Sequence, residues 1–208
     1  MQTRGLLLVF ESAPKCGKTT LSAELAGALR QSSLGQAVML GRCALSNSEF
    51  ATTVKSRNIT DLGYSTAFYW ADLIFYAHDV LSPHLAKGGI IVQDRYDLSI
   101  VCHREVYGLS DDEILLDGYL QRGMIPCPDL TIFLNPPWEV ICNRIKSDPK
   151  GSPIDKEFLE VPSRIGAIQE RIQYHLSRLD RQFVVLDTAA LTIQESIRCI
   201  LGRLQITI

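Results

Sequence analysis

The stretch Ser12-Ala13-Pro14-Lys15-Cys16-Gly17-Lys18-Thr19-Thr20 carries the residue types that seat a triphosphate. A triphosphate concentrates negative charge, and a strand turning tightly into a helix offers it several backbone N–H groups. The helix dipole adds roughly half a positive charge at the same point. Gly17 lets the backbone approach closely, Lys18 has the reach for the β- and γ-phosphates, and the Thr19 hydroxyl can ligate Mg²⁺. The spacing is that of G-x-x-x-x-G-K-[ST], with Ser12 in place of the first glycine. Serine is small enough for the turn if φ stays negative there. Residues 12–20 are therefore expected to hold ATP. Lys15 has two readings: a solvated loop lysine, or a second cation beside the transferred phosphoryl.

Such residues need a strand to deliver them and a helix to receive them. Residues 5–11 form a continuous apolar run that ends in the loop, as a strand buried on both faces does. Residues 18 to about 32 put Leu21, Leu25, Ala28 and Leu29 on one helical face. This context separates the loop from a chance Gly-Lys-Thr at a helix start. Residues 37–40, 90–94, 130–134 and 183–186 read as further short strands. Residues 61–85 and 157–181 read as long helices, the first with Pro83 near its end. Ser110-x-x-Glu113 and Thr192-x-x-Glu195 are capping boxes, and Asn135 is expected to cap a helix whose first position is Pro136. The polar segment SDPKGSPI at 147–154 reads as a loop. This alternation predicts an α/β fold: a P-loop NTPase-type three-layer sandwich with a five-stranded parallel sheet flanked by helices. Ligands bind such sheets at the carboxyl ends of the strands, which places residues 12–18, Arg42, Asp94 and Arg95 on one edge.

Composition bounds the possibilities. The 208 residues suffice for one sizeable core, so a single domain over 1–208 is expected. A net charge of −2 lacks the basic excess of a nucleic-acid binder. The early apolar run at 6–10 is too short to span a bilayer, and no membrane partner is expected. Cys16, Cys43, Cys102, Cys127, Cys142 and Cys199 form no C-x-x-C pair. They read as reduced cytoplasmic thiols, with neither a disulfide framework nor a zinc site. Residues 68, 72, 75, 76 and 79 fall near one helical face, so the aromatic run Phe68, Tyr69, Trp70, Phe75 and Tyr76 is expected to be mostly core. Trp138 reads as a packing residue.

Four segments, in this order and spacing, resemble thymidylate kinase and its relatives among the P-loop nucleoside monophosphate kinases: FESAPKCGKTT at 10–20, HLAKGG at 84–89, DRYDLS at 94–99 and CPDLTIFLNPP at 127–137. The resemblance implies an ATP- and Mg²⁺-dependent phosphotransferase acting on small nucleotides. It implies that Asp94 helps Thr19 hold the metal, and that Lys18, Asp94 and Arg95 are catalytic. It implies that Arg42 and Arg95 clamp the acceptor phosphate, Ser99 lies on the acceptor side, and Tyr69 stacks on the base. Two anionic phosphates approaching in line need such fixed cations, and arginine supplies them with a planar fork. A lid falls at about 146–156, with Arg144, Lys146 and Lys150 as its basic candidates; Asp155 and Glu157 echo the family's acidic lid pattern. By the same analogy the protein is a homodimer.

The departures gather on the acceptor side. Pro14 stands where the family carries an acid near the deoxyribose, and Leu73 where an arginine reads the thymine edge. His103 and Arg104 follow the DRY segment where a glutamine is common. A pyrimidine carbonyl left without its donor costs roughly 1–3 kcal/mol. Either His103 or Arg104 supplies a donor from another direction, or the acceptor differs. The leading expectation is a kinase for a nucleoside monophosphate such as dTMP. The alternatives are a kinase of this fold for another small phosphorylated or hydroxylated acceptor, and a nucleotide-binding protein without kinase activity.

Overall fold

The computed structural model describes residues 4–31, 37–42, 49–57, 62–109, 112–148 and 153–206. Strand β1 (Leu6–Glu11) is buried from Leu7 onward. A strand with neighbours on both sides and helices over both faces has no polar face to show, hence the unbroken apolar run. It pairs in parallel with β3 (Ile90–Asp94) and β4 (Leu130–Leu134), and β2 (Val38–Arg42) and β5 (Phe183–Leu186) extend the sheet outward. The order is β2-β3-β1-β4-β5, all parallel. Strand β2 runs two residues past its expected end. Its register sets Arg42 opposite Asp94, and Phe10 lies opposite Asp94 on the other side. The expected functional edge is therefore one edge of the sheet.

The phosphate loop feeds α1 (Lys18–Gln31), whose buried face comprises Leu21, Leu25, Ala26 and Leu29. Ala26 completes that face, and Ala28 is only half-buried. Helix α2 (Glu49–Ser56) packs on α3 (Leu62–Tyr76), which runs through a π-helical turn at Ala77–Leu81 into α4 (Ser82–Ala86). The Ser82 N–H reaches back to the Ala77 carbonyl, and Pro83 has no N–H to continue an α-helical ladder. The expected face holds in part: Trp70 and Asp72 are buried, Tyr69 and Tyr76 pack against the core, and the departure lies at Phe75 and Asp79. Trp70, Leu73, Ala77 and Leu81 face the core, and Phe75 and Asp79 face outward. The helix is apolar nearly all round, so spacing alone could not choose its inner side. Phe75 instead stacks on Phe50 of α2 at 5.9 Å.

Helices α5 (Asp97–Val106) and α6 (Asp112–Gln121) precede β4, and the capping box at Ser110 lies outside the described residues. Helix α7 (Trp138–Lys146) starts two residues later than expected, with Pro137 as its N-cap. Asn135 caps nothing; its Oδ1 accepts from Gln169 Nε2 at 2.6 Å. Trp138 is 45% exposed, so it is not a packing residue. The expected helix over 157–181 is two helices, α8 (Pro153–Glu160) and α9 (Ser163–Arg178). Pro162 forces the break, because a residue before proline is driven out of the helical region. Helix α10 (Ile193–Leu204) has the expected Thr192–Glu195 capping box.

Helices α5 and α9 are fastened by charge. Arg171 donates to both Glu105 oxygens at 2.6 and 2.8 Å, and the buried His175 Nε2 lies 3.0 Å from Glu105. Burial opposes charge on Glu105, but hydrogen bonds from Arg171 and His175 hold its carboxyl below its ordinary range. Cys102 joins them within 4.8 Å, but Arg171 already engages both carboxylate oxygens of this trio. Among the described residues, no helix is long and apolar enough to cross a membrane.

Candidate active site

The phosphate loop turns through two left-handed residues, Lys15 (φ 57°) and Gly17 (φ 94°). Gly17 takes that conformation without strain; Lys15 needs outside support. It has support in Asp148, with which it forms a short ion pair, and in Asp155 at 3.5 Å. The Asp148 hydrogen bond holds the Lys15 ammonium above its ordinary value. Ser12 does more than tolerate the glycine position. Lys18 Nζ donates to Ser12 Oγ at 2.6 Å, and to the carbonyls of Ala13 at 2.8 Å and Ser12 at 3.3 Å. The serine hydroxyl thus becomes part of the cradle for the lysine.

Lys18 is only 5% exposed. Burial, then the neighbouring Arg95, brings its ammonium down to about 7. A bound triphosphate reverses this by adding charge of the opposite sign. ATP binding should therefore take up a proton. Below the free-state value Lys18 is already charged and uptake vanishes. Uptake grows as pH rises through about 7 and approaches one proton by about pH 8. Calorimetry in buffers of different ionisation enthalpy measures this directly, and pH-independent binding with no uptake contradicts it.

Thr19 Oγ1 donates to Asp94 Oδ2 at 2.7 Å. The other Asp94 oxygen, Oδ1, is buried without a partner. A buried carboxylate oxygen left open beside a hydroxyl is an all-oxygen donor set of the kind a hard divalent cation takes. These residues fit Mg²⁺. Arg95 follows directly, in the left-handed region at φ 69°.

Lys15, Lys18, Thr19, Arg95, Arg144 and Asp148 line a single cleft of about 330 Å³. Lys18 and Arg95 thus face a common space. Arg144, at the end of α7, is locked there: it donates to the Thr188 carbonyl at 2.8 Å, to Thr188 Oγ1 at 3.2 Å and to the Lys15 carbonyl at 3.3 Å. Thr188 in turn donates to the Cys16 carbonyl at 2.9 Å. A second cleft of about 250 Å³ opens beside Arg144, with Leu21, Thr188, Leu191, Ile193 and Ser196 in its wall. It is largely apolar, and it adjoins the phosphate loop at Gly17 and Thr20. Thr188, Leu191, Ile193 and Ser196 were missed in the sequence. The signal was there: β5 ends at Leu186, so the segment after it had to emerge on the ligand edge.

The remaining site candidates line neither cleft. Arg42 is exposed at the end of β2. Tyr69 is half-buried against the core, and Leu73 lies within it at 6% exposure. Ser99 donates its N–H and hydroxyl to Glu11. His103 Nε2 is buried without a partner. Burial, then Arg95 and Lys18, push its imidazole down to about 3, so it is neutral. Arg104 is half-buried, Pro14 and Ala13 are buried, and burial pushes the Cys16 thiol up. Lys150 lies outside the described residues.

No family model matches the chain. A thymidylate kinase of Desulfotalea psychrophila is 25% identical over 174 residues, covering 82% of this chain and 83% of that one. One from Carboxydothermus hydrogenoformans is 27% identical over 199 residues, covering 88% and 89%. The crystal structure of thymidylate kinase from Ehrlichia chaffeensis superposes with a TM-score of 0.73 at 16% identity, over 98% of this chain and 99% of that one. That last likeness is one of fold.

Proposed function

We propose, for a chain that belongs to the thymidylate kinase-like family, transfer of the ATP γ-phosphoryl to the phosphate of a (deoxy)nucleoside monophosphate such as dTMP. The observation that carries this reading is the single cleft onto which Lys18, Thr19 and Arg95 open. Phosphoryl transfer has little covalent chemistry for a protein to perform. Placement and charge neutralisation do the work. Lys18 neutralises the β- and γ-phosphates, and the loop N–H groups cradle them. Thr19 and Asp94 would hold Mg²⁺, which supplies further neutralisation at the same oxygens. Arg95, with Arg42 at the neighbouring strand end, holds the acceptor phosphate against the repulsion of the donor. Lys15 and Arg144 flank the transferred group. The apolar cleft beside Arg144 suits the adenine, with Thr188 at its rim.

The acceptor side supports a modified reading of the base. Tyr69 is the stacking platform, and Ser99, His103 and Arg104 are its polar surroundings. His103, neutral and with an unpartnered nitrogen, can donate or accept where the family's arginine is replaced by Leu73. We take 1–208 as one domain with a lid at about 146–156, working as a homodimer. The free thiols of Cys16, Cys102, Cys127, Cys142 and Cys199 favour a reducing cytoplasmic setting.

The test is a panel of nucleoside monophosphates and sugar phosphates assayed for ADP release. Turnover of dTMP above the other acceptors is expected. Turnover confined to a non-nucleotide acceptor would favour the second reading, which the apolar Pro14 and Leu73 motivate. Tight ATP binding with no transfer to any acceptor would leave only a binding module.

A further inference from the structure

We infer that Glu11 and Gln93 are positioning residues that aim the Arg95 guanidinium at the acceptor phosphate by locking its backbone in a left-handed conformation. The inference rests on the reading of Arg95 as that clamp.

Arg95 has φ 69°, a region that a side chain with a Cβ avoids. Such a conformation persists only when its surroundings over-determine it, and here they do. The Arg95 N–H donates to the Phe10 carbonyl at 3.0 Å. The Arg95 carbonyl accepts from Gln93 Nε2 at 3.1 Å. The next N–H, that of Tyr96, donates to Glu11 Oε1 at 2.9 Å. Both peptide groups that flank Arg95 are therefore pinned, from β1 on one side and from β3 on the other.

Each pin is itself braced. Glu11 is fully buried, and it also receives the Ser99 N–H at 3.3 Å and the Ser99 hydroxyl. It thus sits at the N-terminus of α5, where the helix dipole favours an acid. Gln93 is 1% exposed, and its Oε1 accepts from Tyr76 OH at 3.3 Å. Gly41 makes room for that amide: a Cβ there would lie 1.9 Å from Gln93 Oε1.

A carboxylate in this position is costly. Burial, then the nearby Asp97, pushes Glu11 up to about 7. An apolar residue would pack at lower cost, so the acid is better explained by what it holds. Glu11 also directly precedes Ser12. The same strand end thereby sets both the donor loop and the acceptor clamp. A shift of about 1 Å between two such groups can cost about a hundredfold in rate.

The experiment is a double-mutant cycle with dTMP as acceptor. Arg95→Gly removes the guanidinium and relaxes the backbone, and should lower kcat/KM for dTMP about a hundredfold. Glu11→Gln keeps the shape but puts an amide NH₂ against a set of donors. It should lower the same ratio about tenfold through a raised KM for dTMP, with the Kd for ATP within about twofold of wild type. In the Arg95→Gly background Glu11→Gln should cost nothing further. Gln93→Met, which removes the other pin without touching Glu11, should repeat the pattern and stands in should Glu11→Gln misfold. A Glu11→Gln effect that persists at full size without Arg95, or that falls on ATP as strongly as on dTMP, overturns the positioning role. An Arg95→Gly protein as active as wild type, or a wild-type protein that phosphorylates no monophosphate, overturns the clamp reading, and the positioning role falls with it.

Discussion

Lys18→Ala should lose about 10³-fold in kcat, and the Kd for ATP should weaken by a smaller factor. The reason lies in what the side chain does in each state. Without ligand it is buried among three oxygens of its own loop, at 2.6 to 3.3 Å. Charge on the β- and γ-oxygens grows as the bond to the leaving group breaks, so a fixed cation there is worth most at the transition state. Removing one pre-organised group of this kind costs about 10²–10³ in other enzymes, or about 3–4 kcal/mol. Lys18→Arg should not rescue activity, because a guanidinium cannot occupy a cradle built around one nitrogen. Steady-state ADP release and a binding titration separate the two effects. A Lys18→Ala protein that turns over as fast as wild type would refute the kinase assignment.

Asp94→Asn should also cost about 10³-fold in kcat, and should raise the Mg²⁺ concentration that half-saturates the reaction. Its effect on the ligand-free protein should have the opposite sign. Asp94 Oδ1 is buried without a partner, and that unsatisfied oxygen is a standing cost to the fold. Removing the charge should stabilise the protein by about 1 kcal/mol, seen as a rise of about 2–4 °C in Tm. Stability gained as activity is lost marks a group kept for function. A fall in Tm with activity unchanged would show that Asp94 is merely a cap on Thr19.

The fold was legible because strands buried on both faces leave an unmistakable trace. The apolar runs before Glu11, before Asp94 and around Ile132 gave the sheet, and with it the edge where ligands gather. What failed was orientation within helices. Residues 62–76 are apolar on most sides, so spacing rightly put Trp70 in the core but wrongly put Phe75 there, while Leu73, taken for a base contact, lies inside it. The break at Pro162 was visible in the sequence but was outweighed by amphipathic spacing on both sides of it. At the site, the phosphate loop announced itself by residue type. Glu11, Gln93 and Thr188 did not, because their roles depend on partners 85 to 172 residues away or on a backbone angle. Nothing in a lone glutamate at a strand end reveals that it reaches Tyr96 (85 residues on), nor in a lone threonine that it meets Cys16.

The ion pairs at Lys15 have a consequence for how the empty protein receives its ligand. Asp148 and Asp155 serve as internal counter-ions to the phosphate loop, so its positive charge is not bare before nucleotide arrives. Any polyanion that seats beside Lys15 competes with those carboxylates for the same ammonium. Occupancy of the loop and loosening of the Lys15 pairs to Asp148 and Asp155 are then two halves of one exchange.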